Sequence, residues 1–226
     1  AISPDETRQA LNGLLLEVEQ DKVSMVGTDG HRLAFIKRPA AKTNGAAADS
    51  NGYLLPKKVL AELLKSVEND DSIYTFSVKD NQLAFVHGRE VLISRKVDGK
   101  FPNYRQFIPS DNNLRVQVNK DMLVHALKRV ALLADEKSKM VRFEVRPGEL
   151  TLISDNTELG AAREEMAVGY QGEEVTIGLN ARYVLDVLAA VEDETVFLNL
   201  KDQNHSCLIT AEGDADYLTI VMPMRL

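Results

Sequence analysis

The chain has 226 residues, 44% of them hydrophobic, with 27 lysines and arginines against 34 aspartates and glutamates, a formal net charge of −7. That balance excludes a protein that holds nucleic acid through bulk positive charge, so any such role must rest on local patches. No apolar run approaches the roughly 18 residues of a membrane span, no secretory leader is visible, and the single Cys207 excludes an internal disulfide; the composition reads as a soluble cytoplasmic protein with room for two hydrophobic cores.

The first predicted strand is Leu14–Val18, a short and partly alternating apolar run. Residues Pro39 to Gly52 are rich in Ala, Gly, Asn and Asp and read as a loop. A helix follows over Lys57 to Glu68, with Val59, Leu60, Leu63, Leu64 and Val67 on one arc and Lys58 and Lys65 opposite. Strands are predicted at Ile73–Val78 and Val91–Arg95, and Asp98 to Asn113 reads as a link. An amphipathic stretch from Asn119 to Ala134 carries Leu123, Val124, Leu127, Val130 and Ala131 on its apolar stripe, with His125 and Arg129 opposite and Lys128 at the edge. Leu132 and Leu133 fall off that stripe. Either they lie past the helix end and tuck into the core, or they are an exposed apolar pair at a protein interface. Strands at Val141–Val145 and Val196–Leu200 flank a helix over 181–191, which exposes both Arg182 and Asp186. Gly148, Gly172 and Gly213 mark turns, and Cys207 sits in a strand-like run as a buried, inert thiol. Strand runs interspersed with isolated helices indicate α+β domains, with helices on one face of antiparallel sheets.

The two halves repeat each other. Leu55 to Glu68 aligns with Leu179 to Glu192 at a constant offset of 124, with apolar positions in register. Glu17-Val18 matches Glu144-Val145, and Lys79-Asp80 matches Lys201-Asp202. The period is that of a small domain, too long for a solenoid unit, and divides the chain into domains 1–105 and 106–226. The amphipathic stretch before Val141 has no match before Leu14, where only residues 1–13 stand. The expectation is a fragment that starts inside its first repeat.

No catalytic constellation stands out. His31, His87, His125 and His205 have no metal-ligand spacing, and no phosphate loop or nucleophile elbow is present; neither metal nor cofactor is expected. Thr28-Asp29-Gly30-His31-Arg32-Leu33 offers an acid, a base and an anion clamp for a hydrolase, or else a strand–turn–strand in which Asp29-Gly30 makes the turn. The second copy reads Ser154-Asp155-Asn156-Thr157, keeping an Asp but lacking His and Arg, which favours the turn. The chain ends in the apolar run Ile220-Val221-Met222-Pro223-Met224-Arg225-Leu226, whose methionines suit an adaptable contact surface. The lysines and arginines on the helix faces are either ordinary solvated faces or surfaces turned toward a phosphate backbone.

Thr28–Leu33, the run from Val97 to Tyr104, Tyr183-Val184-Leu185-Asp186-Val187-Leu188 and the terminal Met222–Leu226 together resemble the bacterial DNA polymerase III β subunit family, the β sliding clamps, over the whole chain. The resemblance implies duplicated clamp domains corresponding to the second and third of three, helices lining the inner wall of a two-subunit ring and sheets outside. It implies a non-enzymatic processivity factor in DNA replication. Duplex DNA would be held by topology, with Lys57, Lys58, Lys65, Lys128 and Arg129 facing it. Replicative and repair polymerases and the clamp loader would dock short linear peptides in a pocket between the two domains. Its wall would comprise Leu11, Thr28, Gly30, His31, Arg32, Leu33 and Pro102 from one copy, and Asn180, Tyr183, Ser206, Ile220, Val221, Met222, Pro223, Met224 and Arg225 from the other. Leu132 and Leu133 match the family's subunit interface, the ring being a homodimer at full length and this chain a monomer. Gln106, Phe107 and Ser138 depart from the familiar pattern at the pocket rim. The competing classes are a hydrolase built on Asp29, His31 and Arg32, and a structural adhesion module of duplicated domains, which would have no affinity for polymerase peptides.

Overall fold

The computed structural model describes residues 1–19, 21–40, 52–66, 73–97 and 99–226. Most of the loop read between Pro39 and Gly52, the helix positions Val67 and Glu68, and Asp98 of the link lie outside the described residues. The chain forms two compact units, Ala1–Tyr104 and Arg105–Leu226.

The first unit contains β1 (Gly13–Val18), β2 (Lys22–Thr28), β3 (Arg32–Pro39), β4 (Tyr53–Pro56), α1 (Lys57–Ser66), β5 (Thr75–Lys79), β6 (Gln82–His87) and β7 (Glu90–Arg95). Its strands run antiparallel in the orders β4-β1-β2-β3 and β5-β6-β7. Alternation decides which side chains enter: Leu16, Tyr53, Leu55, Leu83 and Phe85 meet Val59 of α1 in one buried cluster.

The second unit contains β8 (Leu114–Asn119), α2 (Lys120–Val130), β9 (Met140–Arg146), β10 (Glu149–Asn156), β11 (Gly160–Ala167), β12 (Val175–Asn180), α3 (Ala181–Leu188), β13 (Thr195–Leu200), β14 (Cys207–Ala211) and β15 (Tyr217–Val221). The strand orders are β11-β10-β9-β12 and β15-β14-β13-β8, again antiparallel. Val141, Phe143 and Val145 of β9 point inward on alternate positions and join the buried stripes of α2 and α3 in one core. Cys207 is fully buried within that core, and burial alone pushes its thiol up to about 12, which leaves it without reactive thiolate. Gly148 turns β9 into β10 with φ at 77°, a left-handed conformation that glycine adopts without strain.

Element by element, β1 to β7 with α1 repeat β9 to β15 with α3. Among the described residues β8 and α2 have no counterpart in the first unit. The difference shows on α1. Leu64, expected on the apolar arc with Val59, Leu60 and Leu63, is 75% exposed, whereas its match Leu188 on α3 is 1% exposed. In the second unit α2 packs against α3. The first unit has no described helix in that place, so the arc that periodicity predicts is wider than the face that is covered.

Helix ends also differ from the periodic reading. Asn119 caps α2 by accepting from the Met122 amide at 3.0 Å. The helix stops at Val130 and tightens into a 3-10 turn at Ala131–Leu133. The tighter winding rotates Leu132 and Leu133 away from the stripe, leaving Leu132 77% exposed and Leu133 half-buried. The helix read over 181–191 ends at Leu188, where the Ala189 amide closes onto Leu185 and Val187 carbonyls.

Candidate functional site

The turn between β2 and β3 is built by its own side chains. Thr28 and Leu33 are the last paired residues. Asp29 Oδ1 accepts from the amides of His31 at 2.9 Å and Arg32 at 3.0 Å, and Oδ2 accepts from Arg32 Nε at 3.2 Å. The Thr28 hydroxyl donates to the Arg32 carbonyl at 2.6 Å and accepts from the Gly30 amide at 3.1 Å. Gly30 takes the left-handed φ of 91° that closes the turn. Arg8, which the sequence reading did not single out, donates from Nη1 to the Asp29 carbonyl at 3.1 Å. Arg8 also carries the local turn that holds Leu11, whose amide bonds the Arg8 carbonyl at 2.8 Å. Leu11 and Leu33 are buried, Arg32 is half-buried, and His31 and Pro102 are exposed.

This geometry gives the hydrolase reading no support. Asp29 is buried and both carboxylate oxygens are held by the turn it forms, the usual work of an Asx residue. The second unit corrects the alignment made from sequence. There Asn156 Oδ1 accepts from the amides of Glu158 at 2.9 Å and Leu159 at 3.1 Å. The counterpart of Asp29 is therefore Asn156 and not Asp155: the acceptor is kept and the carboxylate is not. Replacing Asp29 with alanine removes the acceptor of three hydrogen bonds and is expected to lower stability by about 1–3 kcal/mol, while Asp29→Asn, which keeps Oδ1, loses less; urea midpoints would check the order.

In the second unit, Asn180 caps α3. Its Oδ1 accepts from the amides of Arg182 at 3.0 Å and Tyr183 at 3.3 Å, and its Nδ2 donates to the Ser138 carbonyl at 2.9 Å. Asn180 is thus first a structural residue that fixes where the half-buried Tyr183 stands. Ser206 adjoins the Cys207–Val221 pair of β14 and β15, and its carbonyl accepts from Asn112 Nδ2 at 2.8 Å. Ile220 and Val221 are buried strand residues that anchor the tail from beneath. Met222 and Arg225 are exposed, with Pro223 and Met224 half-buried. The Met224 amide donates to the Gly178 carbonyl of β12 at 2.8 Å, a single antiparallel bridge. Gly178 left no mark in the sequence reading, because its partner lies far along the chain.

The basic helix residues differ in how free their charge is. Lys57, Lys58 and Lys128 are exposed. Lys65 is paired with Glu62 one turn earlier at 2.9 Å. Arg129 is clamped by Glu164 of β11, with Nη2 donating to Oε2 at 2.6 Å and Nε donating to Oε1. That hydrogen bond raises the arginine pKa and lowers that of the carboxylate. The clamp offsets part of the positive face expected on α2. Among the described residues no helix is long and apolar enough to cross a membrane, and no cluster of His, Cys, Asp or Glu is arranged to hold a metal.

Residues 1–103 match the family model of the DNA polymerase III beta subunit central domain, and residues 105–225 match that of its C-terminal domain. The chain is 36% identical over 230 residues to the beta sliding clamp of Caulobacter vibrioides (strain NA1000 / CB15N), covering 100% of this chain and 61% of that protein. It is 34% identical over 226 residues to the beta sliding clamp of Escherichia coli (strain K12), with the same coverage of 100% and 61%. A crystal structure of the DnaN sliding clamp of Pseudomonas aeruginosa bound to griselimycin superposes with a TM-score of 0.94 at 33% identity, over 100% of this chain and 60% of that one. The chain thus spans about three-fifths of the length of the curated relatives it matches.

Proposed function

We propose, because this chain belongs to the DNA polymerase III beta subunit family, that it contributes two clamp domains to a non-enzymatic processivity factor that encircles duplex DNA and tethers its partners through short peptides. The observation that carries the reading is the pair of family models matched in order along the chain, one to each repeat. A ring holds DNA by topology and needs only loose phosphate contacts, so an acidic protein with a few exposed lysines suffices. Lys57, Lys58 and Lys128 supply those contacts, with smaller shares from the paired Lys65 and Arg129. Leu132 and Leu133 supply the subunit contact; the support is that Leu132 is a large apolar side chain left 77% exposed. The cytoplasm is the compartment this role requires.

Peptide capture is assigned to the two residue sets described above. Leu33 and Val221 form apolar floors, Met222 and Met224 adapt to the anchors of the peptide, and Arg32 and Arg225 meet its polar groups. Calorimetric titration with a Gln-x-x-Leu-Phe peptide tests this, and affinity in the micromolar range is expected. Burying one Leu or Phe anchor is worth roughly 1.5–3 kcal/mol, and two or three, less the ordering cost of the peptide, reach that range. No heat at millimolar peptide would sink the reading. The isolated chain is expected to be monomeric by light scattering at micromolar concentration. Its binding to linear duplex is expected to be weak and to fall steeply with salt; submicromolar, salt-insensitive binding would contradict the assigned faces.

A further inference from the structure

We propose that Gly178 is a positioning residue for peptide capture: its missing side chain lets the terminal segment lie across β12 and so fixes where Met224 and Arg225 stand. The proposal rests on the peptide-capture reading above.

The route of the tail carries the argument. Val221 ends β15 in one strand group of the second unit, and three residues later Met224 is paired to β12 in the other. Met222 is exposed and Pro223 half-buried, so little else guides this crossing. Among the described residues, the backbone hydrogen bond that fastens it runs from the Met224 amide to the Gly178 carbonyl.

Gly178 sits inside a regular strand, paired to Arg142 of β9 on its other side. Its backbone is outside the left-handed region, so conformational freedom does not account for a glycine here. Glycine is also unfavourable within a strand, and its presence there often marks close approach of another backbone. That approach is seen directly. A Cβ at position 178 would lie 2.9 Å from the Met224 carbonyl oxygen, 3.1 Å from Leu226 Cδ2 and 3.2 Å from Met140 Sδ. Leu226 and Met140 can turn aside. The Met224 oxygen is main chain and can yield only by moving the tail. Asn180 lies two residues further on, on the same face of the strand, and opens α3 with Tyr183 in its first turn. A tail displaced from Gly178 is displaced from these residues as well.

Gly178→Ala and Gly178→Val in the full chain test the proposal. The probes are a Gln-x-x-Leu-Phe peptide by calorimetry and amide exchange at Met224, with amides of β9 and β14 as internal controls for folding. The expected result is faster exchange at Met224 in both variants, with the β9 and β14 amides still protected, and affinity reduced at least tenfold by valine and less by alanine. A second arm uses the chain lacking residues 222–226. There valine replaces a strand glycine with nothing from the tail to meet, and it is expected to raise Tm, whereas in the full chain it lowers Tm. A merely structural glycine would lower Tm in both backgrounds, and that outcome overturns the proposal. Native-like peptide affinity in Gly178→Val also overturns it, with peptide capture left standing. Absence of binding in the unmodified chain is distinct: it removes the peptide-capture reading, and the proposal with it.

Discussion

Phe143→Ala is expected to destabilise the second unit by about 3–5 kcal/mol, the range for deleting a buried aromatic ring and leaving a cavity. Phe143 is 0% exposed and stands in the middle of β9, an inner strand. It is paired with Leu152 of β10 on one side and Ile177 of β12 on the other, both themselves buried. Neighbours held in ladders on both sides cannot collapse into the void. Against a typical total of about 5–15 kcal/mol for a domain, this is enough to leave the unit partly unfolded at 37 °C. The chain has no tryptophan, so far-UV circular dichroism in urea is the suitable measurement, with hydrogen exchange to show that protection is lost first from β9, β10 and β12. A loss under 1 kcal/mol would mean that this core repacks freely.

Deleting Met222 to Leu226 is expected to abolish peptide binding while the fold survives. Ile220 and Val221 are the residues that bury the end of β15, and both remain. Among the described residues, what leaves is the backbone hydrogen bond to Gly178 and side chains that are half-buried or exposed. The stability change should therefore be about 1 kcal/mol, the net worth of a typical hydrogen bond. Binding loses more. Removing the Met222 and Met224 contacts to two anchors, at roughly 1.5–3 kcal/mol each, carries a micromolar complex to about 0.1 mM or weaker. Unchanged calorimetric affinity after this deletion would remove the tail from the site.

Much of the molecule could be read from its sequence because the signals were local. The apolar stripes of α2 and α3, the alternation of β9 and the glycine turn at Gly148 all rest on residues within a few positions of one another. The repeat was legible for the same reason: both copies keep the same local patterns, and those patterns fold the same way. What escaped depended on distant partners. Leu64 and Leu188 are identical in type and periodic position, and among the described residues a second helix, α2, packs beside α3 and none packs beside α1. Arg129 reads as a free cation until Glu164, 35 residues on, is brought beside it. The turn register of Asn156 is easily misread, because an Asp and an Asn stand side by side and either can cap, although the match of Glu17 to Glu144 carries Asp29 onto Asn156. Gly178 is silent in sequence, since a glycine chosen for space looks the same as any other.

The burial of Cys207 turns the chain into its own stopwatch. A thiol with its ionisation pushed up to about 12 and no solvent access reacts with an alkylating reagent only when β14 parts from its neighbours. The first unit contains no cysteine, so its openings leave no covalent record. Mass spectrometry of alkylated chain over time would therefore count the excursions of one unit alone, at the strand beside the root of the terminal segment, with no label added.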